Sequence, residues 1–124
     1  MIRDVDHIEI LASDAEEMVT FLKILGFEEI RQTEHHDQSY ELAPQDGDTI
    51  FEIHTVQDDE TPGINHIAFS ADEIEEVTED LQEAGIDQVE GPFHFEPTDR
   101  TLTNFRDPDG RRFQLVGKNA EDSE

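Results

Sequence analysis

The chain has 124 residues, enough for one ordinary domain with a single core, and it contains no cysteine. The lack of cysteine excludes a disulfide framework, a thiolate metal site and a cysteine nucleophile. Its 33 aspartates and glutamates outnumber 8 lysines and arginines, and the formal net charge of -25 argues against nucleic-acid binding through phosphates.

The acidic residues are spread over every segment of the chain, which favours a general surface adaptation over an acidic partner for basic proteins. At about 1 M salt the Debye length falls to about 3 Å, so that self-repulsion is largely screened. We therefore predict a protein from a halophile. Because no apolar run could span a bilayer and residues 1–4 lack the layout of a signal peptide, we also predict a cytoplasmic protein without a membrane partner.

The first 56 residues predict a strand, a helix and three further strands. Residues 5–11 alternate between apolar and polar side chains, as a half-buried strand requires. Ser13 or Asp14 can cap the helix that follows, and Gly26 is suited to ending it. The three further strands are predicted around residues 28–34, 39–43 and 49–56. This order is βαβββ.

A second module follows the linker 57–63 and repeats the first. Adding 59 to the residue number maps His7 onto His66 and Gly26 onto Gly85. The predicted elements are a strand at 64–70, a helix at about 72–84, weak strands around 88–90 and 101–105, a turn at 107–110 and a strand at 111–117. We therefore predict one domain over residues 1–118, with modules at 1–56 and 64–118, followed by an acidic tail at 119–124.

Alternation along the strands places polar residues on the sheet face opposite the helices. His7 and His66 lie on this face of the first strand of each module, and Glu52 and Gln114 lie on it on the closing strands. Two imidazoles, one carboxylate and one amide oxygen suit a divalent first-row metal. We therefore predict a metal site formed by His7, Glu52, His66 and Gln114.

Two further residues of this face are candidates for substrate contacts. His54 lies two residues beyond Glu52 and could act as a second acid or base, or bind an anionic substrate. Arg112 is also assigned to substrate binding. A hydrogen-bonded structural role for each histidine, a solvated surface position for Glu52 and a remnant of a lost site at Gln114 are the plainer alternatives.

Several motifs together resemble the vicinal oxygen chelate superfamily, which includes glyoxalase I, extradiol dioxygenases, methylmalonyl-CoA epimerase, fosfomycin-resistance enzymes and metal-free bleomycin-binding proteins. The resemblance extends to about Gly117 and implies an α+β fold in which two βαβββ modules form a curved mixed sheet with a cleft. It also implies a homodimer and one metal ligand from the first and last strand of each module. The motifs are Asp6-His7-Ile8, 21–27, 50–53, 63–69 and 107–115.

Members of the superfamily differ in the metal ligand that each closing strand supplies. Glyoxalase I enzymes usually place a glutamate on each closing strand, whereas only Glu52 is present here and Gln114 takes the other position. We predict a metal-dependent lyase or isomerase of the glyoxalase I type, in which Glu52 moves a proton next to a carbonyl of a small-molecule substrate. Zn, Ni, Mn, Fe and Co all fit the ligands. An epimerase resembling methylmalonyl-CoA epimerase and a metal-free binding or sequestering protein of the bleomycin-resistance type are the alternatives.

Overall fold

The structure is a computed structural model and describes residues 1–33, 39–96 and 99–117. These residues form two successive βαβββ modules, so the predicted α+β fold class is confirmed. The predicted acidic tail at 119–124 lies outside the described residues. The elements are β1 (Ile2–Ala12), α1 (Ala15–Ile24), β2 (Phe27–Thr33), β3 (Ser39–Pro44), β4 (Ile50–Thr55), β5 (Gly63–Ala71), α2 (Ile74–Glu83), β6 (Glu90–Phe95), β7 (Arg100–Arg106) and β8 (Arg112–Gly117).

The chain divides into two compact units. Residues 7–65 form the first unit, and residues 1–6 together with those from His66 onward form the second. In the first unit the strands lie in the order β2-β3-β4-β1, with β1 parallel to β4 and the other pairs antiparallel. In the second unit the order is β5-β8-β7-β6, and β5 is parallel to β8. Each unit therefore contains a mixed set of four strands.

Helix α1 begins at a well-formed cap. The Asp14 carboxylate accepts hydrogen bonds from the backbone N–H groups of Glu16 at 3.0 Å and Glu17 at 3.3 Å, which satisfies two donors that have no partner within the helix. One face of α1 packs onto the sheet of its own unit through buried apolar side chains. The buried members of this core are Ala12, Ala15, Val19, Leu22, Tyr40, Leu42 and Ile53.

Helix α2 packs on the second unit in the same way but begins without such a cap. Glu73 precedes it in the left-handed region, with φ of 54°, and its side chain makes no capping hydrogen bond. Buried Ile74 packs with Ala71 and Leu115 instead. Neither helix, at ten residues each, is long and apolar enough to cross a membrane within the described part of the chain.

The sixth strand was predicted around residues 88–90, and this position is wrong, because β6 spans Glu90–Phe95. The prediction stopped before Pro92, which cannot donate to a strand ladder. Proline is nonetheless tolerated at a sheet edge, and β6 is the terminal strand of its unit. Gly91 is required beside it, because a Cβ there would lie 2.7 Å from the Leu102 carbonyl oxygen and φ is 135°.

Candidate metal centre

Four charged side chains form a row across the sheet of the first unit. Arg31 is the register partner of Glu41, Glu41 of Glu52, and Glu52 of Glu9, so that one row crosses β2, β3, β4 and β1. Register partners on neighbouring strands point to the same face. We call these four residues the charged row. It places three carboxyl groups side by side against one guanidinium.

The three carboxyl groups of the charged row are poorly hydrated. Glu9 and Glu41 are only 7% and 4% exposed, and Glu52 is partly buried. Arg31 donates a hydrogen bond from Nη2 to Glu41 Oε2 at 2.8 Å, and this ion pair offsets the charge of one glutamate. The other two carboxyl groups, those of Glu9 and Glu52, lie side by side. Ionising both of them would cost electrostatic free energy.

The next positions of this face on β4 and β3 are polar and fully buried. His54 lies two residues beyond Glu52 on β4, and its register partner on β3 is Ser39. His54 is 2% exposed, and its Nε2 lies 3.2 Å from Glu9 Oε2. The imidazole that was predicted to contact substrate is thus packed against a carboxyl group of the charged row. Its position as a second acid or base next to Glu52 stays a prediction.

Burial, together with the hydrogen bond and the negative charge of Glu9, raises the pKa of Glu52 to about 8. The charge of Glu41 also raises the pKa, whereas His7 lowers it. At neutral pH the Glu52 carboxyl group therefore holds a proton that it shares with Glu9. This carboxyl group can gain or lose a proton near physiological pH.

These residues fit a divalent metal ion. One ligand atom from each of Glu9, Glu52 and His54 lies within 4.8 Å of the others, and all three belong to the first unit. Ligands at about 2.1 Å from one ion are at most about 4.2 Å apart, so a small side-chain rotation would close the set. An ion would replace the shared proton and offset both carboxylates. Two oxygen donors and one imidazole nitrogen suit Zn, Mn, Fe, Co and Ni.

The four predicted ligands are divided between the units. His7 is 6% exposed and lies on β1, on the same face as Glu9 and in the unit that contains Glu52. His66 on β5 is 9% exposed and Gln114 on β8 is 8% exposed, and both belong to the second unit. Their grouping around one ion stays a prediction.

The side-chain amide of Gln114 is oriented by a neighbour in its own unit. Gln114 Nε2 donates a hydrogen bond to Asn104 Oδ1 at 3.0 Å, and the two residues are register partners on β8 and β7. This bond engages the amide nitrogen, which leaves Oε1 as the atom that could bind a metal.

Arg112 is exposed at the start of β8, where it lies opposite Arg106. The two arginines line a cavity of about 410 Å³ together with Gln88, Glu90 and Asn104. Two neighbouring guanidinium groups are suited to binding an anionic group of a substrate. The assignment of Arg112 to substrate binding stays a prediction, and this cavity is the place where the substrate group would bind.

Glu9 is the residue that the sequence placed on the correct face but did not identify as a candidate ligand. Alternation from His7 already puts Glu9 on the polar face. Its importance depends on the parallel pairing of β1 with β4, which sets it opposite Glu52. A His-x-Glu spacing on the first strand, next to a glutamate on the closing strand, is the signal that could have identified it.

Comparison with known proteins agrees with the fold. The model of a family described as "Glyoxalase/Bleomycin resistance protein/Dioxygenase superfamily" matches residues 4–115. The uncharacterized protein YwkD of Bacillus subtilis (strain 168) is 29% identical over 126 residues, which cover 93% of this chain and 97% of YwkD.

Two solved structures of methylmalonyl-CoA epimerases have the same fold. The Mycobacterium tuberculosis epimerase superposes with a TM-score of 0.80 at 15% identity, covering 97% of this chain and 91% of the epimerase. A variant of the Streptomyces coelicolor epimerase in complex with 2-nitronate-propionyl-CoA has a TM-score of 0.76 at 19% identity, with 97% of each chain covered. At these identities the similarity establishes the fold alone.

Proposed function

From the premise that the chain belongs to the glyoxalase/bleomycin resistance protein/dioxygenase superfamily, we propose that it is a metal-dependent lyase or isomerase. Its reaction is the transfer of a proton at a carbon next to a carbonyl of a small molecule. The observation that supports this proposal is the buried Glu52 carboxyl group, whose pKa is raised to about 8 by burial and by Glu9. A carboxyl group with a pKa close to the working pH is suited to general acid–base catalysis.

Glu52 is the proposed base. In its deprotonated form it accepts the proton from the substrate carbon. Glu9, with which Glu52 shares a hydrogen bond, holds the carboxyl group in place. A bound divalent cation supplies positive charge beside the carbonyl oxygen, which makes the neighbouring C–H more acidic.

The proposed ligands of the catalytic ion are His7, Glu52, His66 and Gln114. The proposal rests on their corresponding places on the first and closing strands of the two modules, together with the resemblance of the motifs that carry them. Gln114 cannot accept a proton from carbon, so it serves only as a ligand. His54 and Arg112 are the proposed contacts for polar or anionic groups of the substrate.

Two kinds of substrate test the proposed reaction. A hemithioacetal is the substrate of a glyoxalase-type isomerisation, and methylmalonyl-CoA is the substrate named for the epimerases that share the fold. Both reactions remove a proton next to a carbonyl. In an epimerisation the same carbon loses and regains the proton, whereas in the isomerisation the neighbouring carbon, the former carbonyl carbon, receives it. Incorporation of deuterium from D₂O at the carbon that receives the proton, followed by NMR, therefore reports the proton transfer that the two activities have in common.

The decisive variant is Glu52→Gln, which keeps the size of the side chain and removes the base. We expect deuterium incorporation to fall by at least about 100-fold, the lower limit for the loss of a general acid–base group. Glu28→Gln is the matched control, because it makes the same charge change at an exposed position on β2 of the same unit.

Equal rates in the Glu52→Gln variant and the native protein would refute the assignment of the base. Absence of turnover in a protein shown to bind no divalent metal would instead favour a metal-free binding or sequestering protein.

A further inference from the structure

We infer that Glu9, Glu52 and His54 form a divalent cation site of their own within the first unit, in addition to the proposed catalytic ion. This site shares Glu52 with the ligands of the catalytic ion, and it assigns His54 to the cation instead of to the substrate. The site takes a first-row transition ion. The inference concerns cation binding and uses residues of one unit alone. Its outcome does not depend on whether the proposed reaction is correct.

The second unit carries apolar residues at the positions that correspond to Glu9 and His54. The residue corresponding to Glu9 is Ala68, since Glu9 is opposite Glu52 on the closing strand and Ala68 is opposite Gln114. By the same register, Val116 takes the place of His54.

Ser39 also has an apolar counterpart in the second unit. Ser39 on β3 is opposite His54, and Leu102 on β7 is opposite Val116, so Leu102 corresponds to Ser39. Ala68, Leu102 and Val116 form an apolar core cluster of the second unit. The same three places in the first unit are therefore occupied by a carboxyl group, a hydroxyl group and an imidazole.

Burying polar groups at these positions costs more desolvation free energy than burying apolar ones. Glu9, Ser39 and His54 are only 7%, 1% and 2% exposed. Apolar residues at these positions would avoid this cost, and the second unit carries apolar residues there. The polar set is thus better explained by a ligand than by the requirements of packing.

Ser39 supplies an independent indication that a ligand binds at this place. Its Oγ is buried and has no hydrogen-bond partner among the residues that the structure describes. Register with His54 places it on the same face as the candidate ligands. A buried hydroxyl group without a partner usually reflects an ion or an ordered water, and a water bound to the ion at Glu9 and His54 would satisfy it.

The donors determine the class of ion. Two carboxylates match the charge of a divalent cation, and His54 adds a nitrogen donor 3.2 Å from Glu9 Oε2. An imidazole ligand favours Zn, Co, Ni, Mn or Fe over Mg and Ca, which prefer oxygen ligands. Co²⁺ is the most informative probe, because its visible absorption reports the geometry and identity of its ligands.

The experiment is a Co²⁺ titration of the full chain after treatment with a chelator, at about 1 M KCl so that surface carboxylates are screened. Equilibrium dialysis measures stoichiometry and affinity, and visible absorption reports the ligands. Glu9→Ala and His54→Val replace each residue by its counterpart in the second unit, Ala68 and Val116 respectively. Each should weaken the binding of one Co²⁺ ion by at least about 100-fold, since loss of an outer-shell partner alone costs 10- to 100-fold.

Glu9→Gln, which keeps the side-chain volume, is the companion variant, and circular dichroism verifies that each variant is folded. His66→Ala and Gln114→Ala are the matched controls, because they remove buried polar side chains from the second unit. Both controls should retain the Co²⁺ ion that Glu9→Ala and His54→Val lose.

Two results would overturn the inference. One is native affinity in Glu9→Gln and His54→Val. The other is loss of the same ion in His66→Ala or Gln114→Ala, which would show a single ion held by the proposed catalytic set. A protein that binds one ion, loses it in Glu9→Ala and keeps it in His66→Ala would support the inference and refute the proposed catalytic ligands.

Discussion

Replacing Glu52 by glutamine should stabilise the metal-free protein in a pH-dependent manner. Burial and the neighbouring Glu9 raise the pKa of Glu52 from 4.5 to about 8 in the folded protein. A carboxyl group with a raised pKa contributes stability that is fully present below the unfolded value of about 4.5. That stability is lost as the pH rises through about 8, because the folded state must then hold a buried charge. Glutamine does not titrate and avoids this loss.

The magnitude follows from the size of the shift. A change from 4.5 to about 8 corresponds to a ceiling of about 5 kcal/mol at 1.36 kcal/mol per pKa unit. Because Glu9 and Glu52 share a proton and titrate as a pair, we expect about 2 kcal/mol to be assignable to Glu52. For a chain of this length that is a difference of about 8 °C in Tm.

Thermal unfolding of the native protein and Glu52→Gln, followed by circular dichroism between pH 5 and 9 with a chelator, measures this effect. Acidic residues away from Glu52 and Glu9 titrate alike in both proteins, so their contribution cancels in the difference. The advantage of Glu52→Gln should be small at pH 5 and should grow towards pH 8.5. A divalent cation should reverse it, because binding to deprotonated Glu52 stabilises the native protein by about 2.7 kcal/mol at a concentration of 100 Kd.

Parallel stability curves across this pH range would refute the reasoning. They would mean that Glu52 is hydrated well enough to ionise at its ordinary pKa, and the argument for Glu52 as a tuned base would then fail with it.

Two further predictions concern the stability of the fold. The net charge of -25 predicts that Tm rises steeply from 0.1 to 1 M KCl, as the Debye length falls from about 10 Å to about 3 Å, and a Tm independent of salt would contradict the halophilic interpretation. Asp14→Ala should lower the free energy of unfolding by about 1 kcal/mol in urea titrations, because it removes the cap of α1. Glu73→Ala, at the uncapped start of α2, should cost less, and equal losses at both positions would contradict this role of Asp14.

Much of the fold could be predicted because its signals are local. Alternation along β1 and the caps and apolar periodicity of α1 depend on neighbours within a few residues. The strand β6 shows the limit of such signals, since whether Pro92 is tolerated depends on whether the strand has a neighbour on both sides.

The candidate site also combines features that the sequence determines with features that depend on the tertiary structure. The sequence by itself determined that His7, Glu52 and His54 lie on the polar face of their strands, because a period of two follows from the backbone alone. Only the tertiary structure decided which of these side chains meet. The parallel register of β1 with β4 joins residues more than forty positions apart, and it sets Glu9 opposite Glu52. The raised pKa of Glu52 is a consequence of that contact and of burial, neither of which is encoded in any short stretch of the chain.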